Sequence, residues 1–374
     1  MKKNNNKDMK TSVFFFLSNL SGGGAQRTIV NILNGIDKSK YNVKLILLKL
    51  NSDDAYVDLV HKSIPIINLN TRGRYAFWKI KKIIDKEKPD ILFSTLAQVN
   101  LAVWLGHKCS FHKPKLVLRE TSYRTFGKNL NRLSHLLFKR MYNDADNVIA
   151  LSKGVKNDLI ELYGVKSDKI TTIYNPIDTE YIFEKSKEEC ELGYSKDFKM
   201  VSCGRLVEQK NYSLIINALS IIKNKGYENF ELFILGEGPK RDELNDLILE
   251  CGLEGNVKLV GFQNNPYKYM AQADLFVLSS AWEGFGHVVA EALATGTPVL
   301  STDCPHGPKE ILQDGEFGWI VDNNDYIQMS DKLIEIIDGT IKYDDYKSIS
   351  RERAQDFDVS KIVIEYQNVL RLGS

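Results

Sequence analysis

The sequence has few cysteines and no long apolar run. Its five cysteines are odd in number and include no Cys-x-x-Cys pair, which argues against a disulfide framework or a zinc site and favours free thiols in a reducing cytoplasm. No apolar stretch reaches the roughly 18 residues of a membrane span, and residues 1–10 lack the small-residue cleavage site of a secretory signal. We therefore predict a flexible tail over residues 1–10 and a globular cytoplasmic chain after it.

The net charge of +2 conceals a difference between the two halves of the chain. Residues 1–178 contain 30 Lys and Arg against 15 Asp and Glu, whereas residues 179–374 contain 20 against 33. A basic half favours an anionic partner, such as a membrane surface, a nucleic acid or a phosphorylated substrate. Charge complementarity between two domains is the alternative, and the charge pattern leaves both open.

Short β-rich runs alternate with longer amphipathic stretches in both halves, which is typical of parallel sheets with crossover helices. Turn residues at 174–178, followed by a charged and irregular stretch at 179–196, indicate a domain boundary, and a length of 374 residues also favours two domains. In the first half the runs cover residues 13–17, 43–49, 64–69, 90–94, 115–119, 147–151 and 170–174. In the second half they cover residues 199–203, 230–235, 256–260, 274–278, 298–301 and 319–322.

Three consecutive glycines follow the first run, at the end of a strand where ligands of parallel sheets bind. Gly22, Gly23 and Gly24 permit close approach of the backbone to a ligand, although a simple tight turn is the alternative. The loop lacks the G-x-G-x-x-G pattern, and no acidic residue closes the second run to hold a ribose, so hydride chemistry on a dinucleotide is not favoured.

Glycines and cations follow the first two runs of the second half. Gly204 precedes Arg205 and Lys210, and the turn at Gly236 and Glu237 ends the next run. Two cations at a strand end suit an anionic diphosphate, because the charge that develops on a leaving phosphate must be neutralised. Ordinary surface charge is the alternative for these residues.

Residues 283–291 read E-G-F-G-H-V-V-A-E between a predicted strand and a predicted helix. The pattern predicts Glu283 on a loop and Glu291 about one turn inside the helix. Carboxylates accept hydrogen bonds from sugar hydroxyls, and the backbone N–H groups of a helix N-terminus favour phosphate. A strand-turn-helix unit with two solvated glutamates is the alternative for this stretch alone.

Together these motifs resemble the retaining glycosyltransferases of the GT-B fold, in particular family-4 enzymes of bacterial glycan assembly. The resemblance spans about residues 12–370 and rests on S-G-G-G-A-Q-R at 21–27, N-P-I-D at 175–178, G-R-L with K-N at 204–211, G-E-G at 236–238, and the E-x7-E spacing. It implies two doubly wound Rossmann-like domains that face a deep cleft, and a C-terminal helix that crosses back to the first domain. The expected parts are an acceptor domain at 11–178, a nucleotide-sugar domain at 179–356 and the crossover helix at 357–374.

The resemblance also implies the site residues. Arg205 and Lys210 would bind the donor diphosphate, Glu283 the donor sugar and Glu291 the nucleotide ribose. Backbone groups near Phe285 would contact the sugar and phosphates. The remaining donor-binding candidates are Gly23, Gly24, Gly204, Gly236, Glu237 and Gly286. No metal or cofactor is expected, because Arg and Lys supply the positive charge; retention is thought to use the donor phosphate as the base, without a protein nucleophile.

One position departs from the family pattern. Many relatives carry a His after the Glu at the strand end where this chain has Glu120 and Thr121. Glu120, Thr121 or Ser122 would then contact the donor sugar or the acceptor. A C-P-x-G-P-x-E-I-L segment at 304–312 resembles members that use galactose-type or N-acetylhexosamine donors.

The implied activity is transfer of a hexose or N-acetylhexosamine from a nucleotide sugar, for which we expect UDP, to a lipid-linked or growing glycan of an O-antigen, capsule or related glycoconjugate. No nucleic-acid partner is expected. The alternatives are a UDP-sugar epimerase of the same fold and a non-catalytic nucleotide-sugar-binding scaffold.

A basic amphipathic stretch at 126–142 is relevant to where in the cell the protein is found. Its apolar stripe contains Leu130, Leu133, Leu136, Leu137 and Met141. Such a stripe is typical of a helix packed on its own sheet. The alternative is a helix on anionic lipid headgroups, which would place the enzyme peripherally on the inner face of the cell membrane.

Overall fold

The computed structural model describes residues 10–21, 23–51, 54–71, 73–121, 132–190, 193 and 195–372. The chain divides into two compact units, a first unit of Met1–Pro176 with Val359–Ser374 and a second unit of Ile177–Asp358. The predicted boundaries after residues 178 and 356 fall close to these division points. The predicted tail lies outside the described residues except for Lys10.

The first unit contains a parallel sheet of seven strands within the described residues, in the order β3-β2-β1-β4-β5-β6-β7. Alternate residues of β1 face opposite sides of the sheet, and all of Val13 to Leu17 are buried, so the sheet is covered on both faces. The strands are β1 (Thr11–Leu17), β2 (Tyr41–Leu47), β3 (Ile66–Asn68), β4 (Ile91–Thr95), β5 (Lys115–Glu120), β6 (Asn147–Ala150) and β7 (Ile170–Thr172). The helices between them are α1 (Gly24–Gly35), α2 (Gly73–Glu87), α3 (Ala97–Cys109), α4 (Arg132–Asp144) and α5 (Lys153–Tyr163).

The second unit repeats this architecture with a parallel sheet that has six strands among the described residues, in the order β10-β9-β8-β11-β12-β13. The strands are β8 (Phe198–Cys203), β9 (Phe230–Leu235), β10 (Val257–Gly261), β11 (Leu275–Leu278), β12 (Val299–Thr302) and β13 (Trp319–Val321). The helices are α6 (Thr179–Ser186), α7 (Tyr212–Asn224), α8 (Arg241–Glu250), α9 (Tyr267–Gln272), α10 (His287–Thr295), α11 (Pro308–Ile311), α12 (Tyr326–Ile337) and α13 (Asp344–Ala354). Every strand overlaps a predicted run, and the doubly wound fold class is confirmed.

One stretch predicted to be irregular is helical. Helix α6 lies in the charged segment after residue 178, where Asp178 accepts a hydrogen bond from the backbone N–H of Tyr181 at 2.9 Å and Ile182 is buried. Asp is a favoured N-cap residue, and its capping bond begins the helix. The segment is rich in charged residues, so the sequence did not indicate this short amphipathic helix. The buried side chain of Ile182 holds the helix against the rest of the unit.

The last helix, α14 (Val359–Val369), packs on the first unit. It buries Ile362, Val363 and Tyr366, and Ile362 and Tyr366 belong to the same apolar core as α1 and β1. This confirms the predicted crossover helix. No helix of the described ranges is both long and apolar enough to cross a membrane.

Arg119 ties α14 to the sheet. It is fully buried on β5, and its guanidinium donates hydrogen bonds to the hydroxyl of Tyr366 at 2.9 Å, to that of Thr95 at 3.1 Å, and to the side-chain oxygen of Asn175. The residues that follow it, Glu120, Thr121 and Ser122, were predicted to contact a ligand. Arg119 instead lies in the core, because its side chain points to the face of the sheet that α14 covers.

Replacing Arg119 with methionine should lower the free energy of unfolding by about 2 kcal/mol, because three buried acceptors lose a charged donor while relief of the buried charge offsets part of the cost. Chemical denaturation followed by circular dichroism measures the change. Arg371→Met at an exposed arginine is the control and should change stability by less than about 0.5 kcal/mol. Equal stability of the two variants would contradict a structural role for Arg119.

Candidate functional site

The candidate site of the second unit lies where the strand order of its sheet reverses. β8 and β11 are neighbours, and their crossover connections leave in opposite directions, to β9 and to β12. A crevice forms outside the carboxyl ends of two such strands, and ligands of open parallel sheets bind there. Arg205 and Lys210 follow β8, and Glu283 follows β11, so the predicted catalytic residues share this switch point.

The Lys210 ammonium and the Glu283 carboxylate form a buried ion pair. Lys210 Nζ lies 2.6 Å from Glu283 Oε1, and the two side chains retain 15% and 9% of their exposure. Ser280 also donates its hydroxyl to Glu283 Oε1, at 2.8 Å. Both contacts fall on one oxygen, and Glu283 Oε2 has no hydrogen-bond partner among the described residues. The carboxylate is therefore fixed through one oxygen and can accept a ligand hydroxyl through the other.

Backbone contacts hold the Lys210 turn against the loop after β11. The Ser279 hydroxyl donates to the carbonyl of Lys210 at 2.9 Å, and the backbone N–H of Ala281 donates to the carbonyl of Gln209 at 2.8 Å. Neither Ser279 nor Ser280 was predicted as a site residue. Their position directly after a buried strand, where polar side chains reach the switch point, is the signal that could have found them.

The glycine turns after β8 and β9 contact each other through their backbones. Gly204 N donates to the carbonyl of Leu235 at 2.9 Å, and Leu206 N donates to that of Glu237, also at 2.9 Å. A Cβ atom on Gly236 would overlap the carbonyl oxygen of Gly204, and the positive φ of 152° at Gly236 also favours glycine. The close backbone contact between Gly204 and Gly236 therefore fixes the relative position of the two glycine turns.

Arg205 is the exposed cation of this turn. Its guanidinium makes no ion pair with any residue that the structure describes, so it is available to an anion at the sheet edge. Glu237 differs, because its carboxylate lies 2.8 Å from Arg241 Nη1 at the start of α8. Arg205 and Lys210 thus present one exposed and one buried positive charge after the same strand.

Glu291 lies in the second turn of α10, as predicted, and is buried. The Tyr267 hydroxyl, on α9, donates to Glu291 Oε1 at 3.3 Å. Tyr267 had no sequence signal, since its position depends on how α9 packs. The helix begins after Gly286, whose φ of 87° suits glycine and which has no side-chain cap. Helix α10 therefore begins without a side-chain cap, and the backbone N–H of Val289 donates to the carbonyl of Gly286 at 2.9 Å.

The loop after β12 supports Phe285 and Glu283. The backbone N–H of Glu283 donates to the carbonyl of Pro305 at 3.2 Å, and a Cβ atom on Gly307 would overlap the carbonyl of the buried Phe285. His306 and Gly307 both adopt positive φ, at 68° and 74°. A non-glycine residue in this conformation stores strain, a feature concentrated at functional sites.

The negative charge of the site carboxylates contributes to the raised pKa values of two cysteine thiols. Burial raises the pKa of the Cys203 thiol to about 12, and the charge of Glu291 adds to the shift while Lys210 opposes it. Burial likewise raises the pKa of Cys304 to about 12, with a smaller contribution from Glu283. Both groups are therefore neutral thiols at physiological pH and are unsuited to act as nucleophiles.

Alkylation should distinguish these thiols from the exposed Cys109. At pH 8 we expect iodoacetamide to modify Cys109 while Cys203 and Cys304 stay unmodified, because the thiolate is the reactive form and a raised pKa keeps the thiol protonated until pH approaches 12. Peptide mass spectrometry measures the modification, and the denatured chain is the control. Rapid labelling of Cys203 in the folded protein at pH 8 would contradict the assignment.

The predicted contacts of the first unit lie at the carboxyl ends of its own strands. Gly23, with φ 113°, precedes α1, which begins at Gly24 without a side-chain cap. Glu120 is buried at the end of β5, where it accepts hydrogen bonds from the Tyr142 hydroxyl and from the backbone N–H of Thr121 at 2.8 Å. Gly22 and Ser122 lie outside the described residues.

No group of three or more His, Cys, Asp or Glu within the described ranges is arranged to hold a metal ion. The Asp-x-Asp pattern at 144–146 has structural partners: Asp144 accepts from Trp104 Nε1 at 3.0 Å, and Asp146 from the backbone N–H of Leu116 at 2.7 Å. These aspartates hold α3, α4 and β5 together.

Comparison with known proteins gives a consistent family match. The profile described as "Glycosyl transferases group 1" matches residues 184–353, and the profile described as "Glycosyltransferase Family 4" matches residues 22–181. The two matches cover both units of the chain. They contain all the site residues named above.

Individual relatives agree with the profiles. The chain is 33% identical over 358 residues to the N-acetylgalactosamine-N,N'-diacetylbacillosaminyl-diphospho-undecaprenol 4-alpha-N-acetylgalactosaminyltransferase of Campylobacter jejuni, covering 93% of this chain and 96% of that protein. A second Campylobacter jejuni enzyme, an alpha-1,4-N-acetyl-D-galactosaminyltransferase acting on a GalNAc-extended undecaprenol diphosphate, is 23% identical, with 96% and 98% covered. Among solved structures, Anabaena HepE in complex with UDP superposes with a TM-score of 0.82 at 21% identity, covering 96% of this chain and 99% of HepE.

Proposed function

Because the chain belongs to the family-4 glycosyltransferases of the GT-B fold, we propose that it transfers a hexose or N-acetylhexosamine, with retention, from a UDP-sugar to a lipid-linked or growing glycan. The product would serve cell-surface polysaccharide or glycoconjugate synthesis. An acceptor of this kind is anchored in a bilayer, so the proposal includes a peripheral location on the cytoplasmic face of a membrane.

The observation on which this proposal depends is the geometry of Glu283. Lys210 and Ser280 hold one carboxylate oxygen, and the other has no partner among the described residues. A carboxylate fixed in this way can orient a donor sugar hydroxyl without reorganising when the sugar binds. Glu283 is therefore proposed as an orienting and electrostatic group and not as a nucleophile.

The diphosphate is proposed to bind beside this carboxylate. Lys210 already neutralises Glu283, so the exposed Arg205 supplies the uncompensated positive charge, and a guanidinium can bind a phosphate through two parallel hydrogen bonds. As the bond to the sugar breaks, negative charge grows on the leaving phosphate, and Arg205 and Lys210 stabilise it. We propose that this replaces a metal ion.

The relatives support the choice of substrates. Both Campylobacter jejuni enzymes are named for transfer of an N-acetylgalactosamine unit to an undecaprenol diphosphate glycan, and the chain covers nearly all of each. We therefore propose an N-acetylhexosamine as the first donor sugar to test, on an undecaprenol-type acceptor. UDP is proposed as the nucleotide because HepE was solved with UDP.

The test is transfer of radiolabelled sugar from a panel of UDP-sugars into a lipid extract that contains an undecaprenyl diphosphate glycan. Arg205→Ala should lose more than about tenfold in turnover per donor KM, because a charge-assisted hydrogen bond contributes roughly 1.5–3 kcal/mol. Arg205→Lys should recover part of that loss. Lys225→Ala, at an exposed cation on a distant loop, is the control. Full activity of Arg205→Ala would overturn the assigned role of Arg205, and no transfer to any acceptor would overturn the proposed activity.

A further inference from the structure

We propose that one helical layer of the first unit docks on an anionic lipid bilayer. The layer consists of α2, α3 and α4, which connect β3 to β4, β4 to β5 and β5 to β6, so all three connections run in the same direction along the sheet. Right-handed crossovers place such helices on one side, and α3 packs against both α2 and α4. This inference rests on the proposed function, because an enzyme with a lipid-linked acceptor must reach that acceptor at a bilayer. Docking on the bilayer itself requires neither the donor nor the acceptor.

Large apolar side chains are exposed across this layer. Trp78 and Tyr75 on α2 are 55% and 57% exposed, Phe111 just after α3 is 89% exposed, and Leu133 and Leu136 on α4 are 66% and 61% exposed. Of the apolar stripe predicted at 126–142, Met141 is buried, whereas Leu133, Leu136 and Leu137 are exposed; residues 126–131 lie outside the described residues. The prediction that this stripe is core is therefore wrong for the three leucines. Single exposed apolar residues are ordinary, but a cluster marks an interaction surface.

The charge of the layer is positive. The three helices contain nine Lys and Arg against three acids, Asp85, Glu87 and Asp144. Each acid is neutralised by a lysine: Asp85 by Lys81 at 2.6 Å, Glu87 by Lys44 at 2.9 Å, and Asp144 by Lys108 at 2.9 Å. By contrast, Lys82, Arg132 and Lys139 form no ion pair with any described residue. The layer therefore presents uncompensated positive charge.

The arrangement on α2 favours lipid over a protein partner. Tyr75, Trp78, Lys79, Lys82 and Lys86 follow one another at helical spacing and are all exposed. Aromatic rings with a polar edge lie at the headgroup level of a bilayer, with lysines beside them to meet anionic phosphates. Protein interfaces, in contrast, are depleted in lysine. The stripe therefore matches an anionic membrane surface.

Vesicle sedimentation tests this directly. The full chain should bind vesicles of phosphatidylglycerol and phosphatidylcholine at low salt, should not bind phosphatidylcholine alone, and should be released as salt rises. Lys82→Glu, Arg132→Glu and Lys139→Glu together should weaken binding by at least about 100-fold, since each cation near the surface contributes about 1 kcal/mol. The matched control reverses three exposed lysines elsewhere, Lys62→Glu, Lys342→Glu and Lys361→Glu, and should weaken binding far less.

Tryptophan fluorescence locates the contact. Of the four tryptophans, Trp78 is the most exposed: Trp282 is half-buried, and Trp104 and Trp319 retain only 5% and 9% of their exposure. Its emission should shift to the blue on vesicles and be quenched by brominated lipid, and Trp78→Phe should lose that signal while still sedimenting.

Three results would overturn the proposal: no binding to anionic vesicles, equal weakening by the two triple variants, or quenching unaltered by Trp78→Phe. A dimer in solution that Leu133→Ser with Leu136→Ser dissociates, without vesicle binding, would instead identify the layer as a contact between copies. Vesicle binding without sugar transfer would leave the docking surface in place and remove only the proposed function.

Discussion

Glu283→Ala is expected to reduce sugar transfer by more than about 100-fold and to destabilise the second unit by about 3–5 kcal/mol. The activity falls because the carboxylate that is proposed to orient the donor sugar is lost. The stability falls because Lys210, which lies 2.6 Å from Glu283 and is largely buried, keeps its charge without a partner. Denaturant unfolding and the radiolabel assay measure the two effects separately.

The double variant Glu283→Gln with Lys210→Met separates the two contributions. Removal of both charges should restore most of the lost stability, because no uncompensated charge remains, whereas transfer should stay lost. Lys258→Met is the matched control: Lys258 lies 2.6 Å from the buried Glu231, a pair of similar length near the amino end of the same sheet. Lys258→Met should leave the donor KM unchanged. Additive stability losses in the double variant would contradict the coupling between Lys210 and Glu283.

Gly236→Ala is expected to cost more than about 3 kcal/mol of stability and to weaken UDP binding by more than about tenfold. The new methyl group would overlap the carbonyl oxygen of Gly204, so the turn bearing Arg205 would have to move away from the turn after β9. Thermal unfolding and isothermal titration with UDP measure the two effects.

Gly226→Ala controls for backbone conformation. Gly226 also has a positive φ, 94°, but a Cβ atom there meets nothing within 4 Å. Its substitution should cost only the roughly 1–2 kcal/mol of a left-handed conformation and leave UDP affinity unaltered. Equal effects of the two variants would show that strain alone explains Gly236, and that the contact with Gly204 does not shape the proposed diphosphate site.

The sequence predicts the sheets of both units because their strands are buried on both faces. Continuous apolar runs such as 91–93 and 232–235 leave little ambiguity, and the glycines and charged residues that end the runs point to the switch point. Glu283, Arg205 and Lys210 could be predicted to share one site because each lies in the loop after a strand of one sheet. The hydrogen-bond partner of Glu291 could not be predicted, since Tyr267 reaches Glu291 only through the packing of α9 on α10.

Helix α4 shows a different limit of sequence reasoning. It has two apolar stripes, one with Leu133 and Leu136 and another with Phe138, Met141 and Tyr142, and periodicity alone does not say which one the sheet buries. The structure buries the second, where Tyr142 donates a hydrogen bond to Glu120. Arg119 is a similar case: a charged residue at a strand end indicates a ligand contact, but a buried set of hydroxyl and amide acceptors makes it part of the core.

The most direct test of the proposed activity is to follow a UDP-sugar by NMR with and without the lipid-linked acceptor. We predict that UDP appears only when acceptor is present, that the new glycosidic bond keeps the α configuration of the donor, and that Glu283→Ala abolishes both signals. Conversion of the UDP-sugar to an epimer without acceptor, or a β-linked product, would contradict retaining transfer by this site.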